Sequence, residues 1–541
     1  MHSAPQTDHS TRRHWLIFTS LCVALYCVRG VFVLSVFPPL EGWDEYQHVA
    51  YVEYLLENGR APIFNEDSFV PRVLHEELVR FPHSKFAIDQ LHGIGAVSYE
   101  DFWLLDAPPT AFDGAPPIRL YQAQHSSLYY RLVAPAYAFA KSHWGFLAAL
   151  TTLRAINLLF GAGAIAIALW AIGRLLKPGP FRHLVGLLLA LQPLFLLNCA
   201  RIANDAPAVL FGTAAVVAML LMGVRPTIRA AILVGLFLGV GVLMKTTNLG
   251  LLPMAAFVFL YAGWKGEWRR AMTTGAIAGA CFIAVTGYMF ASNLQTFGML
   301  TPMQEAIQNR ADGKTWGDYV ERATEIDWRR EVGNRYLSHS LWRGGWSSLL
   351  PNWRLLGVSR FFIKMHEVLV CFGAVGWLWL LAPRNREERF IFDRPGVASG
   401  IFVLWLGVTA ALCVHMLQTA VALPNVATNI WYAAVIFPWL LVLVGQGFAS
   451  FPSPRMGQFF CGLLAFAFLG TEIYGTRVAM VEEYARAPWG DLARERLAQL
   501  HVSWWGPGVT TPSMIAAITL SVICLVIAVT RKAPTAPVDE K

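Results

Sequence analysis

Apolar runs about as long as a bilayer is thick recur through this chain, and they restrict its fold more than any motif does. A helix needs roughly 20 predominantly apolar residues to cross a bilayer. The first such run, Trp15 to Phe37, follows Arg12 and Arg13 and stops at Pro38-Pro39. Eleven more lie at about 152–174, 184–200, 206–223, 230–244, 249–263, 272–291, 361–381, 397–417, 430–449, 457–473 and 509–529. The chain is 55% hydrophobic and only 14% charged, against about 25% charged in soluble domains. Mean hydropathy is +0.46. The fold class is therefore an all-α polytopic membrane protein with about 12 transmembrane helices, 11 to 13 allowing for short runs. The eight cysteines all fall within apolar runs, which argues against a disulfide framework or a zinc cluster.

The net charge of +8 does not point to nucleic acid, because the basic residues sit in short clusters between the runs. Those clusters are Arg174, Lys177 and Arg182; Arg225 and Arg229; Lys265, Arg269 and Arg270; Arg384, Arg386, Arg389 and Arg394; Arg455; and Arg531 with Lys532. With twelve spans and a cytoplasmic start, every cluster lands on the cytoplasmic side. This parity requires that 127–140, short and carrying Arg131 and Pro135, lie in the interface or re-enter without crossing. The first run ends in prolines with no small-residue cleavage site, so it reads as an uncleaved anchor. The expected organisation is a cytoplasmic N-terminus and first span (1–37), a first outer loop (38–151), a transmembrane core (152–291), a second outer loop (292–360) and C-terminal spans (361–541) with an outer loop at 474–508 and a cytoplasmic tail. Loop mass on one side places the working surface at the outer, extracytoplasmic face of an inner or plasma membrane.

Immediately after the first run comes Pro38-Pro39-Leu40-Glu41-Gly42-Trp43-Asp44-Glu45-Tyr46-Gln47-His48. Residues Trp43 to Asn58 read as a short amphipathic helix closed by Gly59 and Pro62. On it Asp44 and His48 stand one turn apart, with Tyr51 a turn further. Val49, Val52 and Leu56 form an apolar stripe suited to resting on the membrane surface. The plainer reading makes Asp44 a first-turn acid that complements the helix dipole, and Glu45 a solvated side chain.

Ionisable groups near membrane level are costly and so are functional candidates. Arg29 lies inside the first run, either binding a lipid phosphate or snorkelling to the interface. Arg201, Asn204 and Asp205 close the 184–200 run, where Asp205 can equally cap the following helix beside Pro207. Lys245 sits at a tight turn, and Asn293 begins a segment with Glu305, Arg310, Asp327, Arg329, Arg330 and Arg343. No Walker loop, dinucleotide fingerprint or His-Glu-x-x-His motif is present. Gly161-Ala162-Gly163 and Gly239-Val240-Gly241 lie within runs, where small residues serve helix packing.

Taken in order, these residues resemble the polyprenyl-phosphate-sugar-dependent glycosyltransferases of the GT-C class, whose relatives include protein O-mannosyltransferases and the aminoarabinose transferases of lipid A. That class opens its first outer loop with an Asp-Glu pair, similar to Trp43-Asp44-Glu45-Tyr46-Gln47-His48 through Gly59-Arg60-Ala61-Pro62. His125-Ser126-Ser127-Leu128-Tyr129-Tyr130 with Arg154 resembles a His-Pro-Pro-Leu segment before an Arg-led span, with serines at both proline positions. Arg201 to Asp205, Gly239 to Thr246 and Asn293-Leu294-x-x-Phe297-Gly298 are similar to further class patterns. The resemblance covers roughly residues 15–300.

It implies an inverting transfer of a sugar from a polyprenyl phosphate to a glycan, lipid or protein acceptor at the outer face. Asp44 would be the general base, its pKa raised by Glu45 and partial desolvation, with Glu45 the second catalytic candidate. His48, His125, Tyr129, Arg201, Asp205, Lys245, Arg29 and Asn293 would bind substrate. No cofactor is implied and no metal is required, although Asp44, Glu45 and His48 can in principle hold a divalent ion. A transporter or flippase of lipid-linked saccharides would share the membrane-level charges without needing the Asp-Glu pair; the internal repeats that such a protein often shows are not evident. A non-catalytic assembly partner would make those carboxylates dispensable.

Overall fold

The computed structural model describes residues 9–531 except 43, 65–67, 85–86, 89–90, 92, 108, 111–113, 115, 225, 333–358, 382–389 and 424–429. Trp43, Arg225, Arg343, Arg384, Arg386, Arg389 and Lys532 thus lie outside the described residues. Within lipid every backbone N–H and C=O must be satisfied inside the segment, which selects helices. The described residues form helices joined by turns, with only isolated bridges such as Phe69 with Arg119 and Leu176 with Phe392.

The first helices are α1 (His9–Leu34), α2 (Glu45–Asn58), α3 (Leu128–Trp144), α4 (Phe146–Leu175), α5 (Pro180–Leu191), α6 (Pro193–Ala200), α7 (Asp205–Val224) and α8 (Ile228–Met244). They continue as α9 (Leu252–Ala262), α10 (Trp268–Phe297), α11 (Ser359–Leu378), α12 (Pro395–Ala422), α13 (Phe437–Ala449), α14 (Pro454–Tyr474) and α15 (Pro507–Thr530). Several start on proline, whose fixed φ and missing N–H suit a first turn: α5, α6, α12, α14 and α15. Pro193 also splits the predicted 184–200 span in two, and the Gln192 side chain accepts the Phe195 N–H at the break.

By length and composition, nine runs among the described residues can cross a membrane. One of them, Thr246–Phe297, is a hairpin: Gly266, at φ +92°, turns the chain so that α10 packs back on α9. The shorter apolar α8 and the Val368–Leu378 part of α11 bring the apolar segments to twelve, the number expected from hydropathy. The α5–α6 pair is buried throughout its apolar window and forms the centre of the bundle. Small residues set close packing elsewhere. A Cβ on Gly235 of α8 would stand 2.3 Å from the Ala278 carbonyl oxygen of α10, so these helices touch through backbone.

One expectation changes. The α2 helix ends at Gly59 as anticipated, with Gly59 at φ +65° and its N–H on the Leu55 carbonyl. It does not rest on a membrane surface. Val49 and Val52 are fully buried while Leu56 is 43% exposed. The cause is α3, which packs along α2 and stacks Tyr130 on Tyr51 with ring centroids 3.7 Å apart. The outward face of α3 carries Leu132, Phe139 and Trp144 instead, all exposed. The segment between α14 and α15 closes over the one between α2 and α3: Trp103 donates to the Tyr484 carbonyl at 2.8 Å, and Arg486 pairs with Glu100.

Candidate active site

At the start of α2 the chain turns through Gly42 into the helix, and Asp44 occupies the N-cap position. Its side chain is 22% exposed, at the edge of a cavity of about 400 Å³. The polar wall of that cavity includes Asp44, Gln122, Gln124, His125, Lys245, Thr246 and Glu305; α12 supplies an apolar wall of Val408, Ala411, Leu412 and Val414.

Asp44 is surrounded by donors. Gln122 Nε2 donates to Oδ2 at 2.8 Å, and Arg201 Nη1 donates to Oδ1 at 3.0 Å. His48 Nε2 stands 3.6 Å from Oδ2, and His48 Nδ1 lies 2.9 Å from the Tyr130 hydroxyl. Arg201 also donates through Nη2 to Asp205 at 2.8 Å, and Lys245 Nζ donates to the other Asp205 oxygen at 2.7 Å. Asp44, Arg201, Asp205 and Lys245 therefore form one alternating chain of charges. Lys245 terminates α8 in an extended conformation and passes over the Tyr432 ring at 4.8 Å. Arg201 is likewise extended, between α6 and α7. These two helix ends bring the chain together. Asn157 of α4 holds the Arg201 turn by donating to the carbonyls of Arg201 and Ala203, and it accepts the Tyr129 hydroxyl at 3.1 Å.

This environment reverses the expected direction of the Asp44 pKa. Burial alone raises it, but the charges of His48, Arg201 and Lys245 outweigh that and hold the carboxyl well below the usual range. Glu45 does not raise it because Glu45 faces the other way. It is fully buried and takes Arg154 Nε at 2.8 Å and Nη2 at 2.6 Å, together with the Ile202 N–H at 2.9 Å. Glu45 is thus a brace between α2, α4 and the Arg201 turn, away from the cavity. Asp44, Glu45 and His48 do not converge on one point as an ion would require. His125 lines the cavity, its imidazole held neutral chiefly by burial and secondarily by Lys245 and His48.

Three further sequence candidates fall elsewhere. Arg29 is neither at a lipid phosphate nor snorkelling: it is fully buried, its guanidinium paired with both oxygens of Glu472 on α14, Nε to Oε1 at 2.8 Å. Asn293 closes the turn after α10 by donating to the Leu300 carbonyl, outside the cavity. Tyr129 is buried behind the wall. Sequence reasoning missed Gln122 and Glu472. A glutamate within an apolar run was a legible signal that Arg29 had a partner; Gln122 had none.

With this geometry in view, comparison with known proteins bears on the chain. A family model described as dolichyl-phosphate-mannose-protein mannosyltransferase matches residues 120–297. The likeness is to the GT-C transferases. The GT-C-like segment contains His125, Tyr129, Arg154, Arg201, Asp205 and Lys245, whereas Asp44 and Glu45 precede it. A solved structure of ArnT from Cupriavidus metallidurans bound to undecaprenyl phosphate is similar over 95% of this chain and 76% of that one, at 14% identity and a TM-score of 0.43. No curated protein matches the chain.

Proposed function

We propose that this protein transfers a sugar from a polyprenyl-phosphate donor to a nucleophilic acceptor at the outer face of a membrane. The observation that carries the reading is that Asp44 and Lys245 border one cavity, part of whose wall is an apolar stretch of α12. A lipid-linked sugar needs that combination of a cation for the phosphate, an apolar surface for the first prenyl units and a carboxylate beside the anomeric carbon. The match of residues 120–297 to a family named for a dolichyl-phosphate-mannose donor supports it.

In this mechanism an acceptor hydroxyl or amine hydrogen-bonds to Asp44 and attacks the anomeric carbon from the face opposite the phosphate. The new bond to carbon forms as the bond from carbon to phosphate oxygen breaks, which inverts the configuration. The bonding pair leaves on the phosphate, and Lys245, with Thr246 and Thr247 beside it, stabilises the added charge. The acceptor proton passes to Asp44. A carboxylate of depressed pKa serves here because the attacking atom becomes strongly acidic as it bonds to carbon, so transfer is favourable late in the step. Arg201 orients Asp44 and is itself neutralised by Asp205.

The test is release of polyprenyl phosphate by purified protein in detergent from a donor labelled in its sugar, with a range of acceptors. Acceptor-dependent release is expected. A transporter would release nothing once the membrane compartment is removed, and that result would overturn the reading.

A further inference from the structure

At the end of the bundle remote from Asp44, α8 and α10 begin side by side. The α8 helix starts at Ile228 and delivers Lys245 to the cavity 17 residues later, about 25 Å away at 1.5 Å per residue. Between the two starting ends lies a groove of about 550 Å³ lined by Thr227, Arg229, Arg269, Arg270, Thr273 and Thr274. Three guanidinium groups share this groove. Arg270 pairs with Glu267 at 3.2 Å, and Arg229 and Arg269 form no ion pair among the described residues. Each helix also points its N-terminal, partially positive end there.

We propose that this groove holds the phosphate of an anionic phospholipid, with the acyl chains along α8 and α10. Free phosphate would use the guanidinium groups alone; the surface continues beyond them as exposed hydrocarbon, with Ile232 36%, Leu236 39% and Met272 68% exposed. Trp264 and Trp268, 76% and 53% exposed in the adjoining hairpin, mark the depth at which indole rings sit among headgroups. Basic pockets between helices at this level suit anionic headgroups. The bound lipid would screen like charges that otherwise face each other, holding the α9–α10 hairpin against α8. Gly235 and Ala278 already bring these helices into backbone contact, so the site is built on a rigid pair.

The experiment titrates the full chain in detergent with phosphatidylglycerol, phosphatidylcholine or inorganic phosphate and counts bound lipid by native mass spectrometry. Phosphatidylglycerol is expected to be retained in preference to phosphatidylcholine. Arg269→Gln should weaken that retention about fivefold, and the Arg229→Gln/Arg269→Gln pair about twentyfold. Arg12→Gln/Arg455→Gln removes two exposed charges elsewhere and should change it less than twofold. The single variant, at an exposed position, keeps the test open if the double variant fails to fold. Equal loss in the Arg12/Arg455 control would reduce the effect to net charge and overturn the proposal. Equal retention of phosphatidylcholine, or displacement of the lipid by millimolar inorganic phosphate, would overturn it too.

Discussion

Asp44 and Glu45 are neighbours in the chain yet serve opposite sides of the same helix end. Asp44 meets the cavity with 22% of its side chain exposed, whereas Glu45 is fully buried with both oxygens on Arg154. Successive residues on a helix diverge by about 100°, so two adjacent acids cannot share one task. Asp44→Asn is expected to fold normally and lower the transfer rate about 10²–10⁴-fold, the usual cost of losing a general base. Glu45→Gln should instead leave the Arg154 guanidinium buried without its counter-charge, at about 3–5 kcal/mol of stability. Measured rate per folded molecule, alongside thermal unfolding, separates the two; normal transfer by Asp44→Asn would remove Asp44 from the chemistry.

Lys245 and Arg29 divide in the same manner. Lys245→Gln is expected to weaken donor binding, seen as a raised KM for the lipid-linked sugar, while Asp205 keeps Arg201 as a partner. Arg29→Gln strands Glu472 in the bundle, so the expected loss is of folded protein, with an unchanged KM in what remains. Kinetics on the size-exclusion monomer peak check both. An unchanged KM in Lys245→Gln would detach it from the phosphate.

Stability should respond to pH through Glu41. This residue accepts the Ser84 N–H at 3.1 Å and the Tyr99 hydroxyl at 3.2 Å, close to Glu483. Burial pushes its carboxyl up to about 7 from the ordinary 4.5, Glu483 adds to this, and the hydrogen bonds oppose it. The folded protein thus holds this proton more tightly than the unfolded chain. The resulting stabilisation is fully present below the ordinary pKa and is lost as pH rises through about 7. Glu41→Gln is expected to flatten the decline in unfolding temperature across that window; an unaltered slope would assign the decline to other groups. Asp44, held far below its ordinary range, should contribute no limb to the transfer profile near neutral pH.

Sidedness offers a test that does not depend on catalysis. Leu104, between α2 and α3, and Trp264, in the hairpin at the far end, are 79% and 76% exposed. Leu104→Cys should react with an impermeant maleimide in intact spheroplasts and Trp264→Cys only after lysis. The reverse pattern would put the Asp44 cavity on the inner side.

Spans were legible in the sequence because lipid leaves a helix little choice. Any apolar run of sufficient length must satisfy its own backbone, and the prolines at 38, 180, 193, 395, 454 and 507 show where helices stop or start. The Asp44 stretch stood out because carboxylates beside a span are costly. Lys245 and Asp205 could be chosen on the same ground.

What the sequence left open was which charge meets which. Arg29 and Glu472 lie 443 positions apart, and Glu45 and Arg154 lie 109 apart, so no local pattern joins them. Only the packing of α14 against its neighbours and of α2 against α4 makes those pairs, and a buried charge takes whatever counter-charge the packing supplies. The same holds for the Asp44 pKa. Its direction depends on His48, Arg201 and Lys245, and the last two reach it through helix ends remote in sequence. Chain composition set the helices and their lengths; tertiary packing determined that one acid faces the cavity while its neighbour braces the wall.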